Sequence, residues 1–167
     1  MLRGRSPEET MVMDDERFMR QALQLAGESA GLEEVPVGAL LVDSGGNILA
    51  GAGNLTVAAN DPTGHAEIRV LRQAAVRVAN YRLPGTTMYV TLEPCAMCAA
   101  AMVHARVRRL VFGAADPKTG AIVSRYRIGS DGRLNHVLQV TGGILAEECG
   151  RILKEFFQKR RQNILDL

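Results

Sequence analysis

Apolar positions along this chain alternate between helical three-four spacing and short apolar runs. From Asp14 to Gly31 they recur at three-four spacing: Phe18, Ala22, Leu25 and Ala26, with the small Ser29, form one stripe. That spacing predicts a helix, and Gly31 ends it. Residues 37–43 are a short apolar run with strand character, and Ser44-Gly45-Gly46-Asn47 reads as a hairpin turn into a second strand over 48–53. Asn60-Asp61-Pro62-Thr63-Gly64 then marks a helix start. Asp61 or Thr63 is the expected cap, and Ile68, Leu71, Ala75 and Val78 form the stripe of a helix reaching Asn80. Leu83-Pro84-Gly85 punctuates before a third strand at 87–92, rich in β-branched and aromatic residues. Pro94 suits the first turn of a helix over 95–104. Fourth and fifth strands are expected at 107–112 and 137–140, and a last helix at 144–163. Residues 113–136 are too long for a structureless connection, so they read as a functional loop with a short helix. Residues 1–13 have no periodicity and read as a flexible tail. The order predicts an α/β fold: a three-layer α/β/α sandwich in which one mixed five-stranded sheet carries helices on both faces.

Composition narrows this only a little. At 167 residues, 47% apolar and 23% charged, the chain suits one cored domain, taken as 14–167. A net charge of +2 excludes a polycation that binds nucleic acid by charge alone; a polyanion must meet a local basic cluster. Three cysteines do not make a closed disulfide framework and fit a reducing, cytoplasmic compartment. The longest strictly apolar run, 95–103, is nine residues, too short for a membrane span.

Two short motifs carry candidate chemistry: His65-Ala66-Glu67 at a helix start, and Pro94-Cys95-Ala96-Met97-Cys98 straight after a strand. A CxxC pair alone reads as a zinc ligand pair, a redox dithiol or two small core residues. On a helix, cysteines three apart share a face, and free N–H groups at a helix start favour thiolate. One imidazole and two thiolates make three ligands. A structural zinc site needs four, whereas a catalytic one leaves a position for water. His104 lies about 240° around the helix from Cys98 and should point elsewhere. Cys149 and His136 have no ligand spacing, and only the fold decides whether either comes near. A carboxylate beside an open position, as Glu67 would be, can move protons for an activated water.

H-x-E followed by P-C-x-x-C resembles the zinc-dependent nucleobase deaminases. Glu34-Val35-Pro36-Val37-Gly38-Ala39, Asp61-Pro62-Thr63, Thr91-Leu92-Glu93-Pro94-Cys95, Asp116-Pro117-Lys118-Thr119-Gly120-Ala121 and Glu155-Phe156-Phe157 with Arg160-Arg161 look like the bacterial tRNA-specific adenosine deaminases. The likeness spans about residues 14–163. It implies a cytidine-deaminase-like fold and hydrolysis of the 6-amino group of the wobble adenosine in a tRNA anticodon, giving inosine and ammonia. It implies one zinc ion per chain held by His65, Cys95 and Cys98, with Glu67 as proton carrier. Substrate contacts would come from Val35, Pro36, Asn54, the backbone N–H groups of Ala66 and Cys95, Asp116, Lys118, Phe157, Arg160 and Arg161. The implied partners are a tRNA anticodon stem-loop and a second copy of the chain.

Plainer readings stand beside these. Arg151, Lys154, Lys159, Arg160 and Arg161, interleaved with Phe156 and Phe157, fit phosphate contacts and base stacking, or simply a solvated helix face. Phe156 and Phe157 sit about 100° apart on a helix, so both cannot face the core. Asp116 would be favourable beside RNA if a ribose 2′-hydroxyl donates to it. Asn54 also suits a turn ending a strand, and Cys149 a core position. The runner-up function is a deaminase of the same fold acting on cytosine, guanine or a free nucleoside. A zinc-stabilised RNA-binding module would need a fourth ligand.

Overall fold

In the computed structural model, the described residues are 6–165; the first five residues of the predicted tail lie outside them. Nine elements form there in the expected order: α1 (Pro7–Gly31), β1 (Gly38–Val42), β2 (Ile48–Gly53), α2 (Ala66–Val78), β3 (Thr87–Leu92), α3 (Ala96–His104), β4 (Arg109–Ala114), β5 (Gln139–Gly142) and α4 (Ala146–Leu165). The strands make one sheet in the order β2-β1-β3-β4-β5. β1 is antiparallel to both β2 and β3, whereas β3, β4 and β5 run parallel. The sheet is therefore mixed, as the pattern predicts.

Alternation along the central strands builds a core on each face. Ala39, Leu41, Met88, Val90, Leu110 and Phe112 face a larger core shared with α2 and α3. Leu40, Val42, Tyr89 and Val111 face a smaller one beneath α1, with Phe18, Met19 and Ala22. α4 packs over β4 and β3 on that second side, where its Cys149 is fully buried. Gly38 is required because an added Cβ would overlap the Ala22 carbonyl oxygen: α1 lies that close to β1. A buried clasp ties the second face together. Asp15 of α1 receives two bonds from Arg109 of β4, at 2.9 and 2.7 Å, and one from the Tyr89 hydroxyl at 2.9 Å. Arg109 also donates to Thr141 of β5 at 2.9 Å.

Several boundaries differ from the expected ones. α1 begins at Pro7, not Asp14. Proline is favoured at the first helical position and Glu8 in the first turn. The periodic signal is missing there because Met11, Val12 and Met13 are exposed. Neither Asp61 nor Thr63 caps α2. His65 holds that position, while Asp61 closes its own turn by accepting the Thr63 N–H and hydroxyl at 2.8 and 2.7 Å. Pro94 precedes α3, with Cys95 as N-cap. β4 starts two residues late because Arg106 adopts φ 60° and Val107 N–H bonds back to Met102. The short helix expected within 113–136 does not form.

Candidate active site

Two helices begin at one place beside the ends of β2 and β3. His65 and Cys95 occupy the N-caps of α2 and α3 in extended conformation, and neither side chain caps its own helix. Both are thus free to turn toward each other. His65 Nδ1 lies 3.6 Å from Cys95 Sγ and 3.6 Å from Cys98 Sγ. The three ligand atoms all fall within 4.8 Å of one another, and among the described residues no fourth His, Cys, Asp or Glu joins them. An imidazole nitrogen with two sulfurs is a donor set that suits zinc, and a three-residue set suits a site with an open position. The N-terminal ends of two helix dipoles also favour thiolate here. The hydrogen bond from Cys98 brings the Cys95 thiol down to about 4, with His65 contributing after burial is offset. The same bond, aided by burial, drives the Cys98 thiol up.

Glu67 lies in the first turn of α2 and is 4% exposed. Burial pushes its carboxyl up to about 7, and the charge on Cys95 adds to this while its own backbone N–H works against it. Above this floor opens a cavity of about 570 Å³. Its walls are lined by Val35, Asn54 and Thr56 from the segments around β1 and β2, by Ala115, Asp116, Lys118 and Thr119 from the loop after β4, and by Leu153 and Phe157 of α4.

A family profile of MafB19-like deaminases matches residues 13–161. The tRNA-specific adenosine deaminase of Haemophilus influenzae is 55% identical over 148 residues, 89% of this chain and 86% of that protein. Its namesake in Bacillus subtilis is 43% identical over 89% of this chain and 91% of its own length. The chain belongs to the tRNA-specific adenosine deaminases. A solved structure from work on A-to-I editing by tRNA:A34 deaminases superposes on this deaminase with a TM-score of 0.79 at 47% identity, over 82% of this chain and 99% of that one. A guanine deaminase of Bacillus subtilis superposes less closely, with a TM-score of 0.58 at 29% identity over 88% and 93%.

Within the deaminase, His65, Glu67, Cys95, Val35, Asn54, Asp116, Lys118 and Phe157 all line the cavity, with Cys98 buried behind it. Four expected substrate residues do not line it. Pro36 is buried and does not line it. The Ala66 N–H is engaged by Asn54 Oδ1 at 2.9 Å. Arg160 and Arg161 project from the far part of α4 as exposed side chains, Arg160 lying 5.6 Å over the Phe156 ring. Asp116 shapes its own loop, accepting the N–H groups of Lys118 and Thr119 and the Thr119 hydroxyl. His104 points into a separate groove between α2 and α3, and His136 Nε2 meets the Val107 carbonyl. Phe157 is 42% exposed and Phe156 half-buried, which fits their angular separation. Sequence reasoning assigned no role to Glu34 or Glu93, although a glutamate bordering an apolar strand is an available signal.

Proposed function

We propose that this chain hydrolyses the wobble adenosine of a tRNA anticodon to inosine, releasing ammonia. The observation that carries this reading is the floor of the cavity: one imidazole nitrogen 3.6 Å from each of two thiol sulfurs, with a buried carboxyl two residues along the same helix start. His65, Cys95 and Cys98 would hold one zinc ion, which when bound lowers the pKa of a water from 15.7 to about 7. Glu67 takes one proton from the attacking water and delivers it to the ring nitrogen beside C6, then takes the second from the oxygen now bonded to C6 and gives it to the departing amine. The C6–O bond forms first and the C6–N6 bond then breaks, so the water oxygen stays on C6 as a carbonyl, one water proton stays on the ring nitrogen, and the amino group leaves with the other as ammonia. The apolar side of the cavity, Val35, Leu153 and Phe157, excludes solvent from a flipped base, as such chemistry requires.

The exposed cations of α4 and the loop residues Asp116 and Lys118 would meet the backbone and ribose of a stem-loop. The reading also carries a homodimer, checked by a solution mass of twice one chain. It carries a cytoplasmic location too, in keeping with three free cysteines. Among the described residues no helix is long and apolar enough to cross a membrane. The deciding experiment incubates the zinc-loaded protein with an adenosine-containing anticodon stem-loop and analyses the nucleosides for inosine. Conversion of free nucleosides or bases instead, with the stem-loop untouched, would replace this reading by the runner-up.

A further inference from the structure

Two of the segments lining the cavity are irregular chain, yet each is fastened by one buried carboxylate in the same way. Glu34, fully buried, accepts the backbone N–H groups of three consecutive residues: Thr56 at 3.0 Å, Val57 at 2.9 Å and Ala58 at 2.9 Å. It also accepts the Thr56 hydroxyl at 3.0 Å. Glu93, 2% exposed, accepts the N–H groups of Ile122 at 3.1 Å, Val123 at 2.8 Å and Ser124 at 2.9 Å. It further accepts the Asp116 N–H at 3.0 Å and the Ser124 hydroxyl. Three successive N–H groups donating to one carboxylate make an anion-binding nest, and a charged acceptor makes such bonds roughly twice as strong as neutral ones. Neither segment has a helix or strand to satisfy those donors otherwise. The fit at Glu93 is tight enough that a Cβ on Gly120 would overlap its carboxylate oxygen.

We infer that Glu34 and Glu93 are a pair of positioning residues, each seated in a three-amide nest, that hold two lining segments of the cavity in the position its substrate needs. Thr56, held by Glu34, and Asp116, held by Glu93, both line the cavity. Both charges are almost fully buried; Glu34 lies outside the cavity lining and Glu93 borders it, and together they shape its mouth. Their effect falls on binding, and the chemistry on the floor is left alone. This deepens the reading above and rests on it.

The test compares wild type with Glu34→Gln, which puts an amide donor against donors but lies away from the zinc ligands. Steady-state kinetics on the anticodon stem-loop, zinc content and amide hydrogen exchange are measured together. The expected result is a KM raised about tenfold, the equivalent of one lost charge-assisted hydrogen bond. kcat and zinc content stay near wild type, and exchange quickens at Thr56, Val57 and Ala58. Glu93→Gln should quicken exchange at Ile122, Val123 and Ser124 and leave 56–58 protected. Thr56→Val keeps the charge and removes one donor, so it should give a smaller shift of the same kind if Glu34→Gln folds poorly. Unchanged KM with unchanged exchange overturns the inference, as does a fall in kcat with KM unchanged. A wild type that makes no inosine overturns the proposed function instead, and hydrogen exchange still decides whether the nests anchor the walls.

Discussion

Three glutamates surround the cavity at nearly equal depth, and their carboxyls move in opposite directions. On the floor, Glu67 is pushed up to about 7 because burial meets little hydrogen bonding. On the walls, burial pushes Glu34 and Glu93 up as well, but the amides and hydroxyls that donate to them outweigh it. Glu93 ends at about 2, and Glu34 also falls below its ordinary value. Burial therefore does not fix what a carboxyl is for; the count of converging donors does. A carboxyl with few donors can give and take protons. One with four or five is a fixed anion and serves as an anchor.

The contrast can be broken or sharpened by substitution. The largest effect is expected from Cys98→Ala, which should empty the floor of zinc by elemental analysis and take inosine formation to background. Stoichiometric zinc with activity intact would dissolve the distinction between floor and walls. Glu67→Gln should lower kcat by about 10²- to 10⁴-fold, the usual weight of a placed acid-base group, while zinc content and thermal midpoint stay put. Glu34→Gln should do the reverse to stability, costing about 1–3 kcal/mol because buried amides lose their acceptor, as denaturant titration would read. The pH dependence follows in sign. Glu34 titrates lower folded than unfolded, so its contribution is fully present above its ordinary value of 4.5 and is lost as pH falls through the lower folded value. Wild-type stability should thus drop more steeply below pH 4.5 than that of Glu34→Gln. Smallest of all, Arg160→Ala and Arg161→Ala, remote from floor and walls, should each flatten the salt dependence of stem-loop binding by about 0.7–0.9 in slope. An unchanged slope would make them part of a solvated helix face.

The floor was legible in the sequence because its signals are local: His65 and Glu67 are two apart, Cys95 and Cys98 three apart, and each pair opens a helix. The sheet was legible because short apolar, β-branched runs such as 87–92 fill whole strands and are bounded by turn residues. The walls were not. Glu34 finds its donors 22 to 24 residues away and Glu93 between 23 and 31, in segments with no repeating pattern. The first turns of α1 escaped because Met11, Val12 and Met13 there are exposed and so form no apolar stripe toward the core. β4 was misplaced by two residues because a positive φ at Arg106, which no periodicity announces, delays its start.

The clasp of Asp15, Tyr89 and Arg109 draws a sharp line along the first helix. Shortening the chain as far as Met13 removes the exposed Met11, Val12 and Met13 and leaves the clasp closed. Cutting past Asp15 strands a mostly buried guanidinium without its counter-charge, a loss of about 3–5 kcal/mol. Fusion partners and purification handles therefore belong ahead of residue 14, where a handle can be cut away again without disturbing the enzyme behind it.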